Sequence, residues 1–279
     1  MANIDRYISA EAFALEGKAQ RLQPLKRFLA EHEDAVLGLL AVAAFVVIWE
    51  VVIDVAHVSA LFMSPPSKVF AAARNELASD TIWHHLGVSG IELVFGYVAA
   101  AVVGIPLGVL FGWYRRAKSA AQPFISFFSA VPRVAFLPVI VVLVGIGIVS
   151  KEIIVFISAV FPIIFNTIAG MQSLDANLVK CARSFGANDR QIFRTVALPG
   201  SVPMIVAGLR LGVGHGLVGV VVGELYAATA GLGFYMAQNA AQFHTDKMFF
   251  ALLVFGFAGM VLMALMEKVE NRFQVWRPR

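Results

Sequence analysis

Residues 171–199 read MQSLDANLVKCARSFGANDRQIFRTVALP, a polar, helix-forming stretch set between long apolar runs. Leu178, Cys181, Ala182 and Phe185 fall at i, i+3, i+4 and i+7, one apolar stripe with Asp175, Lys180 and Arg183 elsewhere. Gly186 supplies a helix-ending turn of positive φ, and Asn188 or Asp189 caps a second short helix that presents Ile192, Phe193 and Val196. Leu198-Pro199 then opens the next apolar run. A connection between two membrane spans needs only a few residues, and ordering one this long costs entropy unless something binds it. The stretch therefore reads as a helix–turn–helix that lies in a groove on a partner. The alternative is an amphipathic loop resting on lipid headgroups.

Composition places the rest of the chain in a bilayer. Of 279 residues, 59% are hydrophobic and 14% charged, against about 25% charged in ordinary soluble domains. Mean hydropathy is +0.78. The formal charge of +4 raises nucleic acid as a partner, but basic residues beside apolar runs set orientation in a membrane, so membrane lipid is the expected neighbour and nucleic acid is not. A single cysteine, Cys181, excludes an intrachain disulfide. Residues 1–35 mix acids and bases without an apolar core segment and read as a cytoplasmic arm, not a secretory signal.

Apolar runs near the length of a bilayer crossing give about six transmembrane helices, at 36–56, 88–113, 124–148, 152–170, 199–223 and 248–267. The third holds Pro132, Arg133 and Pro138, and the fourth Pro162 and Asn166, so a bent, packed pair is expected there. With the N-terminus inside, sixteen Lys and Arg fall on the cytoplasmic side and four (Lys68, Arg74, Lys151, Lys247) outside, while Arg133 and Arg210 lie within spans. Both termini and the segment 171–199 are then cytoplasmic. Pro65-Pro66 is followed by a short interfacial helix over 68–78, with Val69, Phe70 and Leu77 toward lipid. The chain divides into an arm (1–35), an all-α membrane domain (36–268) and a cytoplasmic tail (269–279).

Ionisable residues within spans are costly and are functional candidates by default. Glu224 ends the fifth span and precedes the small residues 227–233, where it faces a pathway, binds a backbone amide or meets outside water. Arg210 lies deeper, as a pathway cation or the partner of a carboxylate; His215 reads as a packed polar residue. Glu50 and Glu92 read as interfacial or paired groups. Gly104, Gly108 and Gly112, and Gly208, Gly212 and Gly216, recur every fourth residue and admit close helix packing, for the fifth span also at a dimer axis. No metal-ligand spacing and no Ser, His and Asp triad is found, so no catalytic residue, metal or cofactor is expected on this chain.

The docking segment resembles the cytoplasmic signature of binding-protein-dependent ABC importer permeases, Glu-Ala-Ala-x3-Gly-x9-Ile-x-Leu-Pro. Here the frame reads Lys180-Cys181-Ala182-x3-Gly186-x9-Val196-x-Leu198-Pro199. Lys180 and Cys181 depart from the pattern, so no role of its carboxylate is carried over. Ala182 to Ala187, Leu198 to Pro203 and Gly208-Leu209-Arg210 look like the nitrate, sulfonate and taurine branch, as do Met63-Ser64-Pro65, Val131-Pro132, Leu137-Pro138, Gly145-Ile146-Gly147 and Glu224 with Gly231-Leu232-Gly233. The resemblance implies a type I ABC importer permease fold in the bacterial inner membrane, with a coupling helix between spans four and five. It further implies a second permease copy, a separate ATPase that uses ATP and Mg, and a periplasmic or lipid-anchored binding protein. Ala182, Phe185, Gly186, Ala187, Ile192, Phe193, Leu198 and Pro199 would then meet the ATPase. This chain has no phosphate-loop motif of its own. Two rivals remain on the residues alone: a self-sufficient secondary transporter that places its coupling ion at Glu224 and Arg210, and a membrane scaffold that recruits a partner.

Overall fold

The computed structural model describes residues 33–59 and 61–273, which form helices and turns with no strand among them. Most of the expected N-terminal arm and residues 274–279 of the expected tail lie outside the described residues. The chain separates into residues 1–67 and 68–279. In the first unit, α1 (Glu33–Val55) exposes Leu37, Leu40, Phe45, Ile48 and Val52, as a helix facing lipid must. Glu50 on α1 accepts from Ser67 N–H at 2.9 Å and from its hydroxyl at 2.6 Å.

Pro66 opens α2 (Pro66–Leu77), a position where its missing N–H is no loss. The expected interfacial helix is present, but one of its three lipid-facing side chains turns inward. Val69 is buried with Ile82, Leu232, Tyr235, Phe250 and Ala251, while Phe70 and Leu77 stay exposed. Glu76 pairs with Lys247 at 2.8 Å. Burial pushes the Glu76 carboxyl up, and bonds led by that to the Lys247 ammonium outweigh it, so the group sits below its ordinary range.

Among the described residues, five helices are long and apolar enough to cross a membrane, and the bent pair described below would make a sixth if it is one span. Besides α1 these include α3 (Asp80–Trp113), α6 (Ile148–Gln172) and α11 (Thr245–Phe273). The fifth is a rod over Asp189–Ala227. It is built from α8 (Asp189–Ile192), a π-type turn (Phe193–Ala197) and α9 (Leu198–Ala227). α3 starts eight residues before the apolar run predicts, because the added turns bury Ile82 and His85 against the rest of the protein while Asp80, Thr81 and His84 stay exposed. The expected third span is broken. α4 (Arg115–Ala130) and the stretch Arg133–Val144, which ends in α5 (Leu137–Val144), meet at 94°. Val131 is extended (φ −76°, ψ 126°), as a residue before proline prefers, and Pro132 cannot donate to the helix behind it. The bent pair thus falls within the third run, whereas Pro162 leaves α6 a single helix.

α6 lies between α3 and α9 and supplies a larger share of the core than any other helix among the described residues. Small residues let the backbones meet. Gly104 of α3 faces Ile163, Gly108 faces Thr167 and Gly112 faces Met171. On α9, Gly208 faces Asn166, Gly212 faces Ile163 and Gly219 faces Ser158. The glycines of the fifth span therefore serve contact within the chain, and Gly208 and Gly212 are filled by α6 where the sequence also suggested a dimer axis.

A Cβ at Gly108 would stand 2.5 Å from Thr167 Cβ and 3.0 Å from the Ile164 carbonyl oxygen. Gly108→Val is expected to cost about 1–3 kcal/mol by overpacking. Gly90→Ala, which meets nothing within 4 Å, is expected to be neutral or slightly stabilising. Melting of the purified chain in detergent checks both, and equal melting points for the two variants would contradict the packing.

Candidate docking apex and buried charge cluster

The docking segment begins with α7 (Ala176–Ser184), capped by Asp175, whose side chain accepts from Asn177 N–H at 2.8 Å. None of its residues is buried. The helix ends at Gly186, with φ +79°, in a turn where Gly186 N–H bonds Arg183 and Ala187 N–H bonds Ala182. That is a Schellman closure, and it needs a residue free to take positive φ. Phe185 stands at the apex, 87% exposed. Asn188 and Gln191 then form a reciprocal capping box for α8 at 2.8 and 2.9 Å, and Arg183 reaches Asp189 at 3.2 Å across the turn.

The segment after the turn departs from the sequence reading. Ile192 is only 1% exposed, and the Phe193 ring packs edge-on to Trp113 with centroids 5.1 Å apart. These two expected docking anchors point into the protein body and fix α8 to it. Ala182 and Ala187 are half-buried, Pro199 likewise, and Leu198 is exposed in the first turn of α9. Within the apex itself, before α8, the outward apolar surface is Leu178 and Phe185. No break precedes the fifth span: the π-type turn over 193–197 joins α8 to α9 directly, and its wider hydrogen bonding accommodates the N–H that Pro199 lacks.

At the far end of α9, Glu224 is 1% exposed. It accepts from Ser89 Oγ at 2.5 Å and from Gly233 N–H at 2.6 Å. Leu232 N–H donates to Ser89 Oγ at 2.9 Å, and Gly231 N–H donates to His85 Nδ1 at 3.1 Å. Three successive N–H groups at the start of α10 (Leu232–Ala241) therefore end on side chains from α3 and α9. A helix start leaves such donors orphaned, and an anion there also meets the favourable end of the dipole. Gly231 has φ +120°, and a Cβ on it would strike the Glu224 carboxylate.

Beside this cap, Lys151 of α6 forms an ion pair with Glu92 of α3, both almost wholly buried, and donates to the Ala230 carbonyl at 3.2 Å. Glu92 is near enough to Glu224 for their charges to interact. The structure places Glu224 among backbone amides, one of the readings open from sequence. Lys151, counted as an outer-loop cation, is instead a buried member of the cluster. His85 and Ser89 were not singled out by sequence; with Glu92 they form a polar stripe at i, i+4 and i+7 on an apolar helix. The other span candidate, Arg210, is remote from this cluster and bonds Glu270 at 3.0 Å and Glu267 at 3.4 Å on α11.

Residues 104–275 match the model of the family described as the binding-protein-dependent transport system inner membrane component. The chain belongs to this family. Among relatives of this ABC importer permease are the taurine transport system permease protein TauC of Escherichia coli K12 and the putative aliphatic sulfonates transport permease protein SsuC of Bacillus subtilis 168. TauC is 31% identical over 86% of this chain and 89% of its own length, and SsuC 30% identical over 86% and 87%. The methionine ABC transporter MetNI, solved in inward-facing conformations, aligns with TM-score 0.56 at 20% identity over 69% of this chain and 94% of its own. The permease thus has the type I importer fold.

Glu224→Ala removes an acceptor from Gly233 and Ser89 and is expected to lower stability by about 1–3 kcal/mol for each buried donor left unpaired. Lys151→Met strands Glu92 and is expected to cost about 3–5 kcal/mol. Glu224→Gln keeps one acceptor and should melt between Glu224→Ala and the parent. Thermal unfolding in detergent reads the order, and a Glu224→Ala protein that melts with the parent would remove the cap from the account.

Proposed function

We propose that this chain is the membrane-spanning permease of an ATP-driven importer for a small anionic solute of the sulfonate class. Two copies form the pathway, with both termini and the apex at 176–187 in the cytoplasm of a bacterium and the Glu224 cluster at the outer end. A separate ATPase binds ATP and Mg, and a periplasmic or lipid-anchored protein delivers the solute. The observation that carries the reading is the apex itself. A capped helix with no buried residue holds out an 87% exposed phenylalanine on a glycine closure. It is followed by a helical rod that runs on through the bundle. An exposed aromatic anchor beside Leu178 fits a groove on a partner, and the rod gives a displacement at the docking face a stiff route inward. The names of the taurine and sulfonate relatives support the solute class.

The secondary-transporter alternative loses support at the two residues it needs. Glu224 already bonds a serine and a backbone amide, and Arg210 already has two carboxylates. Neither is left with its charge open to a coupling ion.

Purification of the chain from its native membrane in mild detergent is expected to recover an ATPase subunit, and uptake into proteoliposomes is expected to require ATP inside the assembly. Uptake that survives ATP depletion and is abolished by a proton ionophore would overturn the proposal. Gly186→Asp is expected to leave the permease in the membrane but abolish uptake, because it strains the closure and puts a charge in the docking groove. Normal solute-stimulated ATP hydrolysis by that variant would contradict the docking role of the apex.

A further inference from the structure

The break between α4 and α5 opens a cleft of about 290 Å³ against α6 and α9, bordered by Arg133, Ser158 and His215 and by the apolar Val134, Val218 and Val222. Arg133 donates from Nη1 to His215 Nδ1 at 3.0 Å. A guanidinium can only donate, so Nδ1 is the acceptor and the imidazole is neutral, with its proton on Nε2 as a further donor. Ser158 is 5% exposed, borders the cleft, and its hydroxyl makes no hydrogen bond among the described residues.

The charge of Arg133 is not balanced among the described residues. Among the described residues no carboxylate lies within ion-pair distance of it, whereas Arg210 has two. His215 is 17 residues beyond Leu198 and 12 before Ala227 on α9. At ~1.5 Å per residue, that places the Arg133–His215 pair about 26 and 18 Å from the helix ends, near the middle of the bilayer. A cation at such depth needs a partner or water. The buried carboxylates Glu92 and Glu224 are engaged by Lys151 and by Ser89 and Gly233.

We propose that Arg133, Ser158 and His215 form a binding site for the transported solute, holding a compact oxyanion midway across the membrane. The free guanidinium N–H groups, the Ser158 hydroxyl and the His215 Nε2–H supply donors of three kinds to one headgroup. The valines beside them accept a short alkyl tail. The volume is near the lower end of small-molecule pockets, roughly 300–1,000 Å³, which suits a sulfonate or carboxylate of a few carbons. Binding by a few donors in a half-open cleft also lets the anion leave again, as conduction requires. This site rests on the anion-importer reading above.

The test uses the complete transporter, with its ATPase and binding protein, in proteoliposomes supplied with labelled ethanesulfonate. Arg133→Gln is expected to lower ATP-driven uptake at least roughly tenfold while the ATPase subunit still copurifies, and Arg133→Lys to keep part of it. Ser158→Asp supplies Arg133 with an internal carboxylate and is expected to abolish uptake while raising the melting temperature of the assembly. Methanesulfonate is expected to protect the parent assembly from heat more than dimethyl sulfone, a neutral molecule of nearly the same shape, and Arg133→Gln to erase the difference. Parent-level ethanesulfonate uptake by Arg133→Gln or Ser158→Asp would overturn the site and leave the importer standing. A parent transporter that runs on ATP but carries no sulfonate or carboxylate would overturn the site together with the anionic solute class. Failure of ATP to drive any uptake would overturn the importer reading itself.

Discussion

In a bilayer, two helices gain nothing by hiding apolar side chains from a solvent that is itself apolar, so they associate where their backbones approach closely and where polar groups find each other. α6 meets both conditions on two sides. Glycines of α3 and α9 clear the way for Ile163, Thr167 and Asn166, and that approach brings Lys151, at the start of α6, to Glu92 on one neighbour and to the Ala230 carbonyl beyond the other. The buried cluster is a product of this packing. Lysine and glutamate placed so deep would be prohibitive if the helices stood a few ångströms further apart, because each charge would then be buried alone.

α9 carries different chemistry at its two ends. One end runs without a break into the docking segment, and the other holds the glutamate that caps α10. Between them Arg210 fastens the rod to α11 through Glu267 and Glu270. The π-type turn over 193–197, where each hydrogen bond spans an extra residue, joins the docking end to the rest of the rod without interrupting the helix.

Hydropathy and glycine spacing made the helical membrane fold legible, because lipid imposes span length and close packing imposes small residues. The Leu198-Pro199 punctuation was less informative. Proline reads as a boundary, yet a π-type turn lets the helix continue through it, so the second half of the docking element belongs to the fifth span. On sequence, both helices of the docking segment present apolar anchors outward, which holds for Phe185 after α7 but not for Ile192 on α8, since an apolar pattern does not say whether the body of the protein or a partner covers it. Lys151 was misplaced for a similar reason. A lysine next to an apolar run counts as an interfacial cation unless its carboxylate is known, and Glu92 lies 59 positions away on another helix. Arg133 and His215 are 82 positions apart, and only the bend at Pro132 brings them together.

The cap on α10 also orders events during synthesis. His85, Ser89 and Glu224, the three acceptors, all precede Gly231, Leu232 and Gly233 in the chain. Chains emerge N-terminus first, so the receptacle for that helix start can be assembled before the helix itself leaves the ribosome. α10 then has nothing to nucleate alone. Its first turn closes on acceptors already held by α3 and α9, and a protein in which those two helices have paired out of register would declare the error at this point, with three amides left facing an apolar interior.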